Sequence, residues 1–316
     1  MKKKLIHFSF YLLACIAGLC ALIFFLSVQL LDEKEIAQIK NGKKFWQWSS
    51  PHGLINTHFI EEGDGDQHIL LLHGFRAHTY TWKSLIAPLK QAGYHVWALD
   101  LVGFGLSDKP NYAIYNQSFF VNQIKSFMNH QGIESTHLIG NSMGGALALE
   151  LTLNCPDSVK SLTLINALGY SLNMPFYIYL FRDMDFIWGP FLSPTIIKAC
   201  LQSVIFDQKC VTEEKVEAYC LPYRFPGGTE SSLLTLRHFD MNKLQKMHKN
   251  FSQICLPTLL IWGENDTLLP LQHYHHFLDD FPEAQSFLIP ACGHMPQEEK
   301  PELIAEVLID FLCKNF

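Results

Sequence analysis

Polar and apolar positions along the chain follow two alternating patterns. Segments 69–72, 94–99, 136–139, 161–165, 257–261 and 286–289 are short, mostly apolar runs rich in Leu, Ile and Val, as in strands buried on both faces. Between them, apolar residues recur every three or four positions over 80–91, 116–131, 146–154, 271–281 and 302–313, the pattern of helices with one buried face. Strand and helix alternate strictly, which predicts an α/β domain with a mainly parallel central sheet flanked by helices. In such sheets the functional groups gather at the carboxyl ends of the strands.

Two stretches break this rhythm. The interval 168–249 is far longer than the other connections and reads as an inserted helical cap, with Phe176, Tyr177, Tyr179, Phe181, Phe186, Trp188 and Phe191 offering an apolar roof. Pro222, Pro226, Gly227 and Gly228 mark turns within it. At the other end, Lys2, Lys3 and Lys4 precede an apolar run over 5–31. As a helix it would be about 40 Å long, more than the roughly 30 Å of hydrocarbon in a bilayer. The expectation is an uncleaved single-pass anchor over 1–31 and localisation at a membrane. Lysines stand on both flanks, Lys34, Lys40, Lys43 and Lys44 beyond the run, so charge does not choose the side of the catalytic domain. The expected division is anchor 1–31, catalytic core 32–167 and 250–316, and cap 168–249.

Composition narrows the function. Among 316 residues, 24 basic and 30 acidic side chains leave a net charge of −6, which argues against nucleic acid as a partner. Hydrophobic residues make up 48% and exclude a disordered chain. The nine cysteines lack framework spacing, and Cys200, Cys210 and Cys220 read as small buried hydrophobes. His273 and His276 share a helix face, but no third ligand is spaced to join them, so neither metal nor cofactor is expected.

The chemistry sits in four places. Gly140-Asn141-Ser142-Met143-Gly144-Gly145 joins the strand at 136–139 to the helix at 146–154. A serine between small residues in that context is forced into a sharp strand-to-helix turn that lifts its hydroxyl above the sheet. Asp266, in Trp262-Gly263-Glu264-Asn265-Asp266, follows the strand at 257–261, and His294, in Gly293-His294, follows the strand at 286–289. Nucleophile, carboxylate and imidazole therefore project at one edge in the order Ser142, Asp266, His294, the set needed for a base-activated serine. His73-Gly74-Phe75 follows the strand at 69–72, and the backbone N–H groups of Phe75 and Met143 are the expected oxyanion donors. His73 reads as a buried brace for that loop.

On these residues, together with 100–108, Pro270 and Met295, the sequence resembles the α/β-hydrolase superfamily over roughly 45–313. The resemblance implies the α/β-hydrolase fold. The serine separates the chain from epoxide hydrolases and haloalkane dehalogenases, whose elbow nucleophile is an aspartate. An N-terminal anchor with a cap resembles the membrane-bound monoacylglycerol lipase branch, and the leading expectation is a membrane-tethered serine hydrolase of carboxylic esters, with a small apolar ester or lipid as substrate. The Gly-Asn-Ser-Met-Gly-Gly elbow is also similar to that of hydrolases cleaving carbon–carbon bonds in ring-fission products. Phe75-Arg76-Ala77 departs from their longer Gly-rich oxyanion loop. A catalytically silent ligand-binding protein is the reading outside enzymes.

Overall fold

The computed structural model describes residues 29–170 and 193–316. A short helix α1 (Glu33–Lys40) leads into β1 (Lys44–Ser50), β2 (Gly53–Glu62) and β3 (His68–Leu72), followed by α2 (Lys83–Gln91), β4 (His95–Leu99), α3 (Gln117–His130), β5 (Thr136–Asn141), α4 (Met143–Asn154) and β6 (Val159–Ile165). Helices α5 (Pro194–Val204), α6 (Glu213–Cys220), α7 (Gly228–His238) and α8 (Met241–Met247) lie between β6 and β7 (Thr258–Gly263). The chain ends with α9 (Leu271–Asp280), β8 (Gln285–Ile289), α10 (Pro296–Glu299) and α11 (Pro301–Asn315).

The eight strands form one sheet in the order β1-β2-β4-β3-β5-β6-β7-β8. β1 and β2, and β2 and β4, pair antiparallel, and every remaining pair is parallel. The two-residue period of a strand splits the apolar runs between two cores. Leu70, Leu72, Leu138, Leu162, Leu164, Leu260 and Trp262 face one core with Phe127 and Leu147. Ile69, Leu71, Ile139, Ile165, Leu259 and Ile261 face the other, with Trp82, Leu85, Ile304 and Phe311 of α2, α11 and the turn before α2. All but two residues of α4 are buried, because this helix lies against the sheet under the rest of the fold.

Three features depart from the sequence pattern. β1 and β2 lie outside the predicted strands, because β1 alternates buried Trp46 and Trp48 with exposed Lys44 and Gln47 and so carries no unbroken apolar run. The predicted strand at 286–289 is an edge strand, with Ser286, Phe287 and Leu288 exposed. Of the three cysteines read as buried, Cys220 is buried, Cys210 is half-buried and Cys200 is exposed.

The expected membrane anchor falls on residues 1–28, which lie outside the described residues, and among the described residues no helix is long and apolar enough to cross a membrane. Among the described residues nothing supports the expected localisation at a membrane, and the end of the expected span has a different role. Leu31 is buried against Leu106 and Phe225, and its N–H donates to the Arg224 carbonyl at 2.8 Å. Asp32 then caps α1, accepting from Glu35 N at 2.8 Å while Glu35 Oε2 accepts from Asp32 N at 2.9 Å. This box starts the helix at Glu33, with Asp32 itself in an extended conformation.

Candidate active site

Ser142 stands between β5 and α4 with φ 54° and ψ −118°, a conformation that costs a non-glycine residue about 1–3 kcal/mol. The neighbouring glycines permit it. A Cβ on Gly144 would lie 2.1 Å from the Leu72 carbonyl oxygen, and one on Gly145 would lie 2.4 Å from the Ala167 Cβ. The helix therefore begins hard against β3 and β6, and Ser142 is turned out of the sheet. Its carbonyl accepts from Leu168 N at 2.9 Å and its N–H donates to Ile165 O at 3.2 Å, which locks the turn to the end of β6.

Asp266 and His294 meet as the sequence order requires. His294 Nδ1 lies 2.7 Å from Asp266 Oδ2, with both side chains almost fully buried. The carboxylate is held on every side: Oδ1 accepts from Leu268 N at 2.8 Å and Leu269 N at 3.0 Å, and Oδ2 accepts from Asn166 Nδ2 at 2.6 Å. Burial works to raise the Asp266 pKa, but the imidazole and these donors outweigh it and leave the carboxyl below its ordinary value. An ionised Asp266 accepts the hydrogen bond donated by Nδ1–H and leaves the His294 Nε2 lone pair free to act as base.

The residue before the serine links this pair to the elbow. Asn141 Nδ2 donates to Ile165 O at 3.0 Å and to His294 O at 3.3 Å. Ser142 Oγ forms no hydrogen bond among the described residues, so the elbow and the imidazole loop are joined through Asn141; a nucleophile–base hydrogen bond is often long until substrate arrives.

Gly74 brings the loop after β3 to the same point. A Cβ there would lie 3.0 Å from the Ser142 Cβ, so only glycine fits without displacing the serine. Neither Phe75 N–H nor Met143 N–H donates to a protein group among the described residues, Met143 being the first residue of α4. Both expected oxyanion donors thus flank the serine with their N–H groups unspent. Behind them, the fully buried His73 takes Leu101 N–H on Nε2 at 3.0 Å, and its Nδ1 donates to Gly74 O at 2.8 Å. Burial drives its pKa down to about 4, so it braces the loop as a neutral ring, as the sequence suggested.

Several supporting residues escaped sequence reasoning. Asn166, with φ 39°, uses its Oδ1 to accept from Gly263 N at 3.0 Å while its Nδ2 holds Asp266. Asparagine tolerates the left-handed region, and the only visible signal was its place one residue past β6, at the edge where the other groups project. Buried Asp100 accepts from His58 Nδ1 at 2.7 Å, Thr79 N at 2.7 Å and Leu106 N at 2.8 Å, fixing the turn that follows the Gly74 loop. Glu299 accepts from Gly293 N at 2.8 Å and Phe206 N at 2.9 Å, tying the histidine loop to the helices between β6 and β7. Of those helices, α5 and α6 build their own apolar cluster, which includes Ala77 from the Gly74 loop and Met295 beside His294. The predicted aromatic roof, from Phe176 to Phe191, lies outside the described residues.

This sheet, elbow and carboxylate–imidazole pair define a hydrolase of the α/β class. The family profile described as alpha/beta hydrolase fold matches residues 67–193 and 221–301, and the chain belongs to that family. A 2-hydroxy-6-oxononadienedioate/2-hydroxy-6-oxononatrienedioate hydrolase of Comamonas testosteroni is 30% identical over 273 residues, 83% of this chain and 94% of that protein. The crystal structure of a meta-cleavage product hydrolase from Pseudomonas fluorescens IP01 aligns with a TM-score of 0.72 at 25% identity, covering 83% of this chain and 96% of that one. A membrane phospholipase A, described as a bacterial virulence factor, aligns with a TM-score of 0.69 at 25% identity, covering 100% of this chain and 99% of that one.

These likenesses correct the expected reaction. The substrates named for the 30% identical relative are ketone-bearing dienoic diacids without an ester, so the bond a hydrolase breaks in them joins two carbons. Carboxylic-ester cleavage gives way to the carbon–carbon alternative, and the monoacylglycerol lipase resemblance gives way to the meta-cleavage product hydrolases.

Proposed function

We propose that the chain is a serine hydrolase that cleaves a carbon–carbon bond in 2-hydroxy-6-oxo-dienoates, the vinylogous diketones left by ring fission. The observation that carries this reading is the 30% identity over 273 residues to a hydrolase of such compounds, in a chain whose Ser142 elbow is joined through Asn141 to the Asp266–His294 pair.

In this reading a proton first moves from the substrate's 2-hydroxyl to C5, giving the diketone. Ser142 Oγ adds to the C6 ketone while His294 Nε2 takes its proton, and Asp266 steadies the imidazolium. The Phe75 and Met143 N–H groups receive the oxyanion. When the oxyanion collapses, the C5–C6 bond breaks, its electron pair passes into a conjugated dienolate, and the proton on His294 quenches that charge. The C6 fragment remains as an ester of Ser142. Water, deprotonated by His294, then releases it as a carboxylic acid and restores the serine. The sum is substrate plus water to a 2-hydroxypenta-2,4-dienoate and an acid, with no cofactor. Helices α5 to α8 are read as the cap over this site, with α5 and α6 packed on Ala77 and Met295.

The test is turnover of 2-hydroxy-6-oxo-6-phenylhexa-2,4-dienoate and 2-hydroxy-6-oxononadienedioate, followed by loss of their visible absorbance, with phospholipids and nitrophenyl esters in parallel. Ser142→Ala is expected to lower dienoate turnover by a factor on the order of a thousand or more. Inert dienoates beside brisk hydrolysis of the esters or phospholipids would overturn the proposal.

A further inference from the structure

Arg76 is the residue that this site and its supports leave unexplained. It follows Phe75 in the loop whose Gly74 abuts Ser142, where the ring-fission hydrolases carry a glycine-rich segment. Its φ is 60°, in the left-handed region that favours glycine. An arginine there gives up conformational ease that a glycine would keep, which points to a use for the side chain.

The surroundings show what that use is. Arg76 Nε is buried and has no hydrogen-bond partner among the described residues. Its guanidinium lies over the Phe75 ring, with Cζ 5.3 Å from the ring centroid, a cation–π contact that uses no N–H donor. On the other side is the cap: burial pushes the Tyr223 phenol up while the nearby Arg76 charge acts against it, which sets the guanidinium at the seam between loop and cap. Other basic groups near this seam are already paired, Lys215 with Glu298 at 2.9 Å and Lys83 with Glu214. A buried guanidinium nitrogen without an acceptor is costly, and a planar acceptor with two oxygens satisfies it best.

We infer that Arg76 binds the C1 carboxylate of the substrate, across the dienoate from the C6 carbonyl that Ser142 attacks. The inference rests on the dienoate reading, since every compound named there carries a carboxylate, and it places selection for the acid in the oxyanion loop of this chain.

Binding and turnover separate the two claims. In Ser142→Ala protein, titration of 2-hydroxy-6-oxo-6-phenylhexa-2,4-dienoate by its own absorbance gives a Kd whether or not the bond is cleaved. Adding Arg76→Gln is expected to raise that Kd about 10- to 100-fold, as for loss of one charge-assisted pair. Arg76→Lys should recover part of the loss. Arg76→Gly, which suits the backbone angle and guards against misfolding, should match the glutamine variant. The dienoate methyl ester, without the charge, should show a Kd that changes far less than that of the acid. Equal weakening of acid and methyl ester, or no change for either, overturns the carboxylate site. If wild-type protein leaves the dienoate uncleaved yet Arg76 still governs its Kd, the reaction assignment fails and the carboxylate site stands.

Discussion

His73 offers the sharpest measurement of how the site is held. Its ring is fully buried, with the Leu101 N–H entering Nε2 at 3.0 Å and Nδ1 giving its proton to Gly74 O at 2.8 Å. A second proton on Nε2 would set two donors face to face. Burial therefore lowers the pKa from 6.5 to about 4; buried Asp100 pulls the other way and His78 adds to the fall. Unfolded, the same side chain titrates near the ordinary 6.5. Below that pH the unfolded chain takes up a proton that the folded one refuses, so stability present at neutral pH is lost as pH falls from 6.5 towards 4. The full gap corresponds to about 3 kcal/mol, most of which is lost by about pH 4.5. That is a large share of the 5–15 kcal/mol of an ordinary domain. Urea unfolding at about pH 7.5 and pH 4.5 should show wild type losing about 2–3 kcal/mol more than His73→Gln or His73→Asn, neither of which can titrate. Parallel losses in all three proteins would refute the argument, since a ring that protonates freely in the folded state contributes no such difference.

Two further substitutions probe the supports of the pair and the cap. Asn166→Ala removes the donor to Asp266 Oδ2 and the acceptor for Gly263 N–H, and steady-state kinetics should show kcat down about 10- to 100-fold with KM little changed. Asn166→Asp, which sets a like charge beside Asp266, should fall further; an unchanged kcat in both would show that the carboxylate needs no such holder. Lys215→Met leaves the buried Glu298 without its ion-pair partner at 2.9 Å and should lower unfolding free energy by about 3–5 kcal/mol. The double variant Lys215→Met/Glu298→Gln should regain part of that loss, and a single variant as stable as wild type would show that the pair does not clamp cap to core.

What could be read in the chain follows from what kind of contact carries each feature. Ser142, Asp266, His294 and the Gly74 loop each follow a strand that carries a short apolar run, and parallel strands deliver their carboxyl ends to one edge. Their convergence was visible because the periodicity of β3, β5 and β7 was visible. β1 and β2 hide because their alternation of Trp46 and Trp48 with polar neighbours serves a half-covered sheet. Asn141, Asn166 and Glu299 hide for another reason. Each acts through hydrogen bonds to residues far away in the chain, Asn166 to Asp266, Asn141 to His294 and Glu299 to Phe206, and no local pattern records such partners.

The choice of bond lies deeper still. An ester and a C6 ketone meet the same serine, the same imidazole and the same pair of N–H groups, so the triad that the sequence displays so openly is silent between them. What differs is the leaving group, a carbon that departs only if its electron pair flows into a conjugated dienolate bearing a carboxylate. A site that favours this departure has to hold that anionic tail at a set distance from Ser142. Discrimination therefore belongs to whatever cation meets the tail, and here the oxyanion loop itself carries one, at a backbone angle that a glycine would have adopted without strain.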